Sequence, residues 1–78
     1  MPEIFRAFGW VFMIFPDDHD PPHVHVFGPG WQIKIALTDP PDLMLIAGRA
    51  TRQEARKSLR MVRERLPDLL AAWEKIHG

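Results

Sequence analysis

A chain of 78 residues, 46% hydrophobic and 26% charged, has room for one domain around one small core, spanning residues 1–78. It has no cysteine and no tyrosine, and Ser58 is its only serine, which excludes disulfides, thiolate-held zinc and thiol catalysis and leaves few nucleophiles. The net charge is zero but uneven: residues 1–48 carry two bases against six acids, while residues 49–66 carry seven bases against two acids.

Gly9 to Phe15 is rich in β-formers and stops at Pro16, so it reads as a strand buried on both faces or nearly so. The apolar run from Phe8 to Phe15 falls far short of the roughly 20 residues that a membrane helix needs. With no basic start and no cleavage pattern in front of it, the expectation is a cytoplasmic protein with no membrane partner. A loop from Pro16 to Pro22 leads to a second strand, His23 to Phe27. Gly28-Pro29-Gly30 is a turn. Trp31 to Leu37 alternates polar and apolar as a third strand with one wet face, and Leu43 to Ile46 supplies a short fourth after the turn Thr38 to Asp42.

The period then changes. Thr51-Arg52-Gln53-Glu54 matches a capping box, and Ala55, Leu59, Val62 and Leu66 recur on one helix face. Pro67 either kinks this helix or opens a second one that carries Leu69, Leu70, Trp73 and Ile76. Strands joined by hairpin-length turns, then helix, predict an α+β fold. Its sheet is antiparallel with three to four strands, and a C-terminal helix, kinked or split at Pro67, packs on one face.

The densest chemistry lies in Asp17 to Val26, DDHDPPHVHV. Residues two apart on a strand share a face, so His23 and His25 project together. Two imidazoles on one face can grip a metal ion, with Asp18, His19 or Asp20 reaching in from the loop. Such an N/O ligand set suits zinc, nickel, copper or iron. Pro21-Pro22 stiffens the approach to His23. The same residues support two other readings. A histidine pair titrating near neutrality can act as base and acid, with His19 as a third member, for example in RNA cleavage. Neutral histidines can also tie a loop to the sheet with no ligand at all.

The element Asp18-His19-x-Pro21-Pro22-His23-x-His25 is preceded by Met1-Pro2-Glu3-Ile4, Gly9 and the apolar strand, and followed by an aromatic-bearing C-terminal helix ending near Trp73-Glu74. Together these resemble the small bacterial domain of unknown function family 4160 over most of the chain. Gly28-Pro29-Gly30-Trp31 and Pro67 depart from that pattern. The resemblance implies a small interaction protein of a toxin–antitoxin-type or mobile-element module, often encoded beside another small protein. Its matching positions here are Asp18, His19, His23 and His25.

Arg52, Arg56, Arg60 and Arg63 step along one side of the helix. Such a stripe can follow the phosphates of RNA or DNA, meet a protein partner, or simply be solvated. Trp31, at a turn, is the tryptophan expected to be partly exposed and to anchor a partner. The leading expectation is action through a protein or RNA partner. The alternative is a divalent-metal (zinc or nickel) or acid–base hydrolase centred on His23 and His25.

Overall fold

The computed structural model of the chain describes residues 3–78, so the Met1-Pro2 opening of the family-like start lies outside the described residues. Five strands, β1 (Glu3–Ala7), β2 (Trp10–Met13), β3 (His23–Gly28), β4 (Trp31–Ala36) and β5 (Asp42–Gly48), precede two helices, α1 (Arg52–Glu64) and α2 (Leu66–His77). The strands form one antiparallel meander in the order β1-β2-β3-β4-β5. The α+β class and the antiparallel sheet agree with the sequence reading.

The sequence reading of three to four strands is corrected to five, because β1 pairs with β2 through a two-residue turn. Phe8 and Gly9 both take positive φ there, 59° and 77°, as a tight twisted hairpin requires. Glycine adopts that conformation freely, whereas phenylalanine is an unusual occupant, and this hid the turn. The Lys57 ammonium lies 3.4 Å from the centroid of the Phe8 ring. The helical segment is two helices, and they part at Arg65, before Pro67. Pro67 falls in the first turn of α2, where its missing N–H costs no hydrogen bond.

Register sets the two sheet faces. Val24 lies opposite Ile35 and Val26 opposite Ile33, while Phe12 lies opposite Val26. All of these are fully buried and form one cluster with Ala55 and Val62 of α1 and Leu69 and Trp73 of α2. By alternation His23 and His25 occupy the other face, opposite Ala36 and Lys34. The Thr51 hydroxyl accepts from the Glu54 N–H, and the Thr51 N–H donates in return to the Glu54 carboxylate, so the capping box is complete. Glu54 also accepts from the Trp31 indole N–H at 3.1 Å.

Trp31 is therefore buried, which corrects the expectation that it is partly exposed as an anchor. Its ring lies over Gly28, where any Cβ would collide with the indole. Gly48, at φ 88°, ends β5 against the backbone of Gly30 and Trp31, leaving no room for a side chain. Among the described residues no helix is long and apolar enough to cross a membrane.

Candidate metal centre

The loop between β2 and β3 is held from both ends. The Asp18 N–H donates to the Phe15 carbonyl at 3.0 Å, and the Phe15 N–H donates to Asp18 Oδ2 at 3.0 Å. This reciprocal pair turns the Asp18 carboxylate back over the sheet. The Asp20–Pro21 bond is cis, as is Asp39–Pro40 in the turn before β5. The loop delivers its carboxylate onto the face where β3 presents its two imidazoles.

His25 Nε2 lies 3.2 and 3.1 Å from the two carboxylate oxygens of Asp18. His23 Nε2 lies 3.5 Å from Oδ1 of the same carboxylate. One ligand atom from each of Asp18, His23 and His25 falls within 4.8 Å of the others. For comparison, two ligands bound at 2.0–2.1 Å to a tetrahedral zinc lie about 3.3 Å apart.

The two histidines are buried, at 5% and 7% exposure. Their outer nitrogens are engaged differently. The His23 Nδ1–H donates to the Pro21 carbonyl at 2.8 Å, which in the neutral imidazole leaves the Nε2 lone pair facing the carboxylate. That Nε2 is buried and, among the described residues, has no hydrogen-bond partner. His25 Nδ1 meets the Gln32 side-chain amide at 3.0 Å. An amide can present its nitrogen or its oxygen, so Gln32 supports either tautomer of His25. With Gln32 donating, Nε2–H bonds to Asp18; with Gln32 accepting, Nε2 is free to bind a metal.

Electrostatics favour the deprotonated forms that a metal needs. Burial pushes the Asp18 carboxyl up, but the Phe15 N–H and the neighbouring His25 and His23 outweigh it and hold the group below the ordinary carboxylate value. Burial pushes His25 down; the Asp18 carboxylate opposes this, and His23 and Lys34 add to it, so His25 sits below its ordinary 6.5.

Both shifts make the metal-free protein less stable in acid. A depressed folded-state pKa adds stability that is complete above the unfolded value and lost as pH falls through the folded one. The His25 contribution therefore begins to fall below about pH 6.5, and that of Asp18 below about pH 3.8. Urea unfolding in chelator at pH 7.5 and 5.5 checks this: the midpoint is expected to be lower at pH 5.5, and less so in His25→Gln. A midpoint that holds or rises on acidification contradicts it.

His19 is exposed and lies outside this ligand group. It lines the adjoining hollow of about 270 Å³ with Asp17, Asp18, Asp20, Pro21, His23, Lys34 and Met44. The structure thus brings together Asp18, His23 and His25 and leaves His19 at the rim. Sequence reasoning missed three supports. Gln32 carried a usable signal, since it follows Trp31 on the strand that pairs with the histidine strand. Trp73, 5.4 Å from the His23 ring, and His77, stacked on Trp73 at 3.8 Å, carried none. His77 Nε2 lies 3.2 Å from the Phe15 carbonyl and Nδ1 3.0 Å from the Trp73 carbonyl, and a neutral ring donates to one or the other; in the Nε2–H tautomer the end of α2 clasps the loop. Arg52, Arg56, Arg60 and Arg63 are all exposed on α1, apart from this centre.

The family model named Domain of unknown function (DUF4160) matches residues 9–74. The chain belongs to that family. The match runs from the turn before β2 to the last turns of α2, so it includes every residue of the centre except His77. No curated protein and no solved structure matches the chain.

Proposed function

We propose that this member of the family is a metal-dependent protein in which Asp18, His23 and His25 hold one divalent transition-metal ion. The observation that carries the reading is His23 Nε2, a buried nitrogen with no hydrogen-bond partner among the described residues, 3.5 Å from a carboxylate that already meets a second imidazole. A buried polar atom without a partner costs about 1–3 kcal/mol, and a bound metal removes that cost. The surroundings fit a metal site as well. One imidazole is fixed by a backbone carbonyl, the other by an amide, and the carboxylate by a backbone N–H, as the outer partners of metal ligands usually are.

Two imidazoles and one carboxylate leave positions for water, the pattern of a catalytic rather than a structural ion. The reaction class supported best is metal-assisted hydrolysis, in which the ion would lower the pKa of a bound water. Within that reading Asp18 and His23 also line the hollow, where His19 and Lys34 offer a proton carrier and a cation to a substrate.

Calorimetric titration of metal-stripped protein with zinc and with nickel tests this. One ion per chain is expected, with protons released as the ligands bind. Side-chain NMR is expected to show His23 and His25 changing together while His77 keeps its signals. Binding absent for both metals, or binding that moves His77 and leaves His23 unchanged, would show that the cluster is a structural network.

A further inference from the structure

The two edges of the sheet differ. The β1 edge carries charged Arg6, and the Arg65 guanidinium sits over Phe5 at 4.4 Å. Edge strands are commonly blunted by charge in this way. β5 is the other edge, and every residue from Asp42 to Gly48 is exposed. Leu43, Met44, Leu45 and Ile46 are 38–49% exposed, although they are consecutive and apolar. Ile46 lies opposite Ile33 and Leu45 opposite Lys34, so the uncovered apolar surface wraps both faces of the strand. Between Leu43 and Ala47 there is no charge and no proline, and among the described residues no strand lies beyond β5.

The charges that bracket β5 are self-complementary. Asp42 stands at its first residue and Arg49 immediately after its last. When two such strands run antiparallel about Leu45, each Asp42 arrives opposite the other copy's Gly48, next to its Arg49, and the apolar middles meet. We propose that the protein self-associates through β5, two copies pairing these strands antiparallel about a two-fold axis near Leu45 to form one continuous sheet. Such an isologous contact is the commonest route to a dimer. It also pairs the unpaired backbone groups of the edge.

The two-fold axis puts both copies of α1 on the same side of the joined sheet. Arg56, Arg60 and Arg63 flank the Pro40–Pro41 turn beside β5, so the two arginine rows approach across the seam. Their repulsion is screened at about 0.15 M salt, which sets the condition for the measurement.

Sedimentation equilibrium from about 1 to 100 micromolar spans the range in which a micromolar dimer dissociates. The wild type is expected to fit a dimer of twice the 9.0 kDa chain mass. Leu45→Glu keeps the fold, because its carboxylate lies opposite Lys34 within the sheet, but it sets like charges against each other at the axis. It is expected to weaken the dimer by about 30-fold or more. Asp42→Arg is expected to weaken it by about 3- to 10-fold, and Asp42→Arg combined with Arg49→Asp to restore it. A wild type that stays monomeric overturns the proposal and leaves β5 to a different partner. So does a Leu45→Glu protein that dimerises as tightly as wild type, or a double variant no better than Asp42→Arg alone. Circular dichroism of each variant separates loss of association from loss of fold.

Discussion

His23→Ala is expected to lower zinc affinity by about 100-fold or more while changing the stability of the metal-free protein by no more than about 1–2 kcal/mol. The two effects separate because His23 has opposed roles without metal. Its ring packs against Trp73 at 5.4 Å, which stabilises the fold, but its Nε2 is buried with no hydrogen-bond partner among the described residues, which costs. Removing the side chain loses both. With metal the same nitrogen becomes a ligand, and its loss is no longer offset.

The readout is urea unfolding with and without zinc. At a free zinc concentration 100 times the dissociation constant, wild type gains about 2.7 kcal/mol from binding, and His23→Ala is expected to lose nearly all of that gain. Gln32→Ala is the graded control. It removes only the amide partner of His25 Nδ1 and is expected to weaken binding by about 10- to 100-fold. Zinc stabilising His23→Ala as strongly as wild type would refute the centre.

Trp73→Ala is expected to destabilise the protein by about 3–5 kcal/mol, the usual cost of emptying a large aromatic site in a core. Trp73 is 6% exposed, and its ring touches the rings of both His23 and His77. In a domain this small that cost approaches the whole stability, which for native proteins starts near 5 kcal/mol. Much of the variant is therefore expected to be unfolded at room temperature, by circular dichroism and denaturant titration. Trp73→Phe keeps an aromatic against His23 and is expected to retain most of the fold. His77→Ala removes the clasp on the Phe15 carbonyl and is expected to cost about 1 kcal/mol. A Trp73→Ala protein that melts within a few degrees of wild type would mean that α2 is not what closes the histidine end of the sheet.

Much of this was legible in the chain itself. The strand containing His23 and His25 is marked by alternation and proline boundaries, and alternation alone puts both imidazoles on one face. Thr51 and Glu54 announce the start of α1 by a pattern three residues long. Asp18 was a candidate ligand because its loop is short and proline-bound. Its neighbours Asp20 and His19 were equal candidates on the sequence, and only the Phe15–Asp18 hydrogen bonds separate Asp18 from them. β1 escaped because its turn puts a phenylalanine at positive φ, where sequence patterns lead one to expect glycine or asparagine. Trp31 was misjudged because its indole partner, Glu54, lies 23 residues away.

Sequence by itself therefore determined β2 to β5 and the helical segment, the face the histidines share and the bases that line α1, because these follow from periods of two and 3.6 residues and from local capping. Tertiary structure alone decided which carboxylate meets the histidines, which polar atom is left without a partner and which apolar strand is left uncovered. Those outcomes depend on contacts between residues far apart in the chain. His77 reaches Phe15 across 62 positions, and β5 is exposed because the chain turns into α1 at Gly48 instead of adding a sixth strand. A local pattern carries no record of what packs beside it, and here what packs beside it turns a row of histidines into a candidate metal centre.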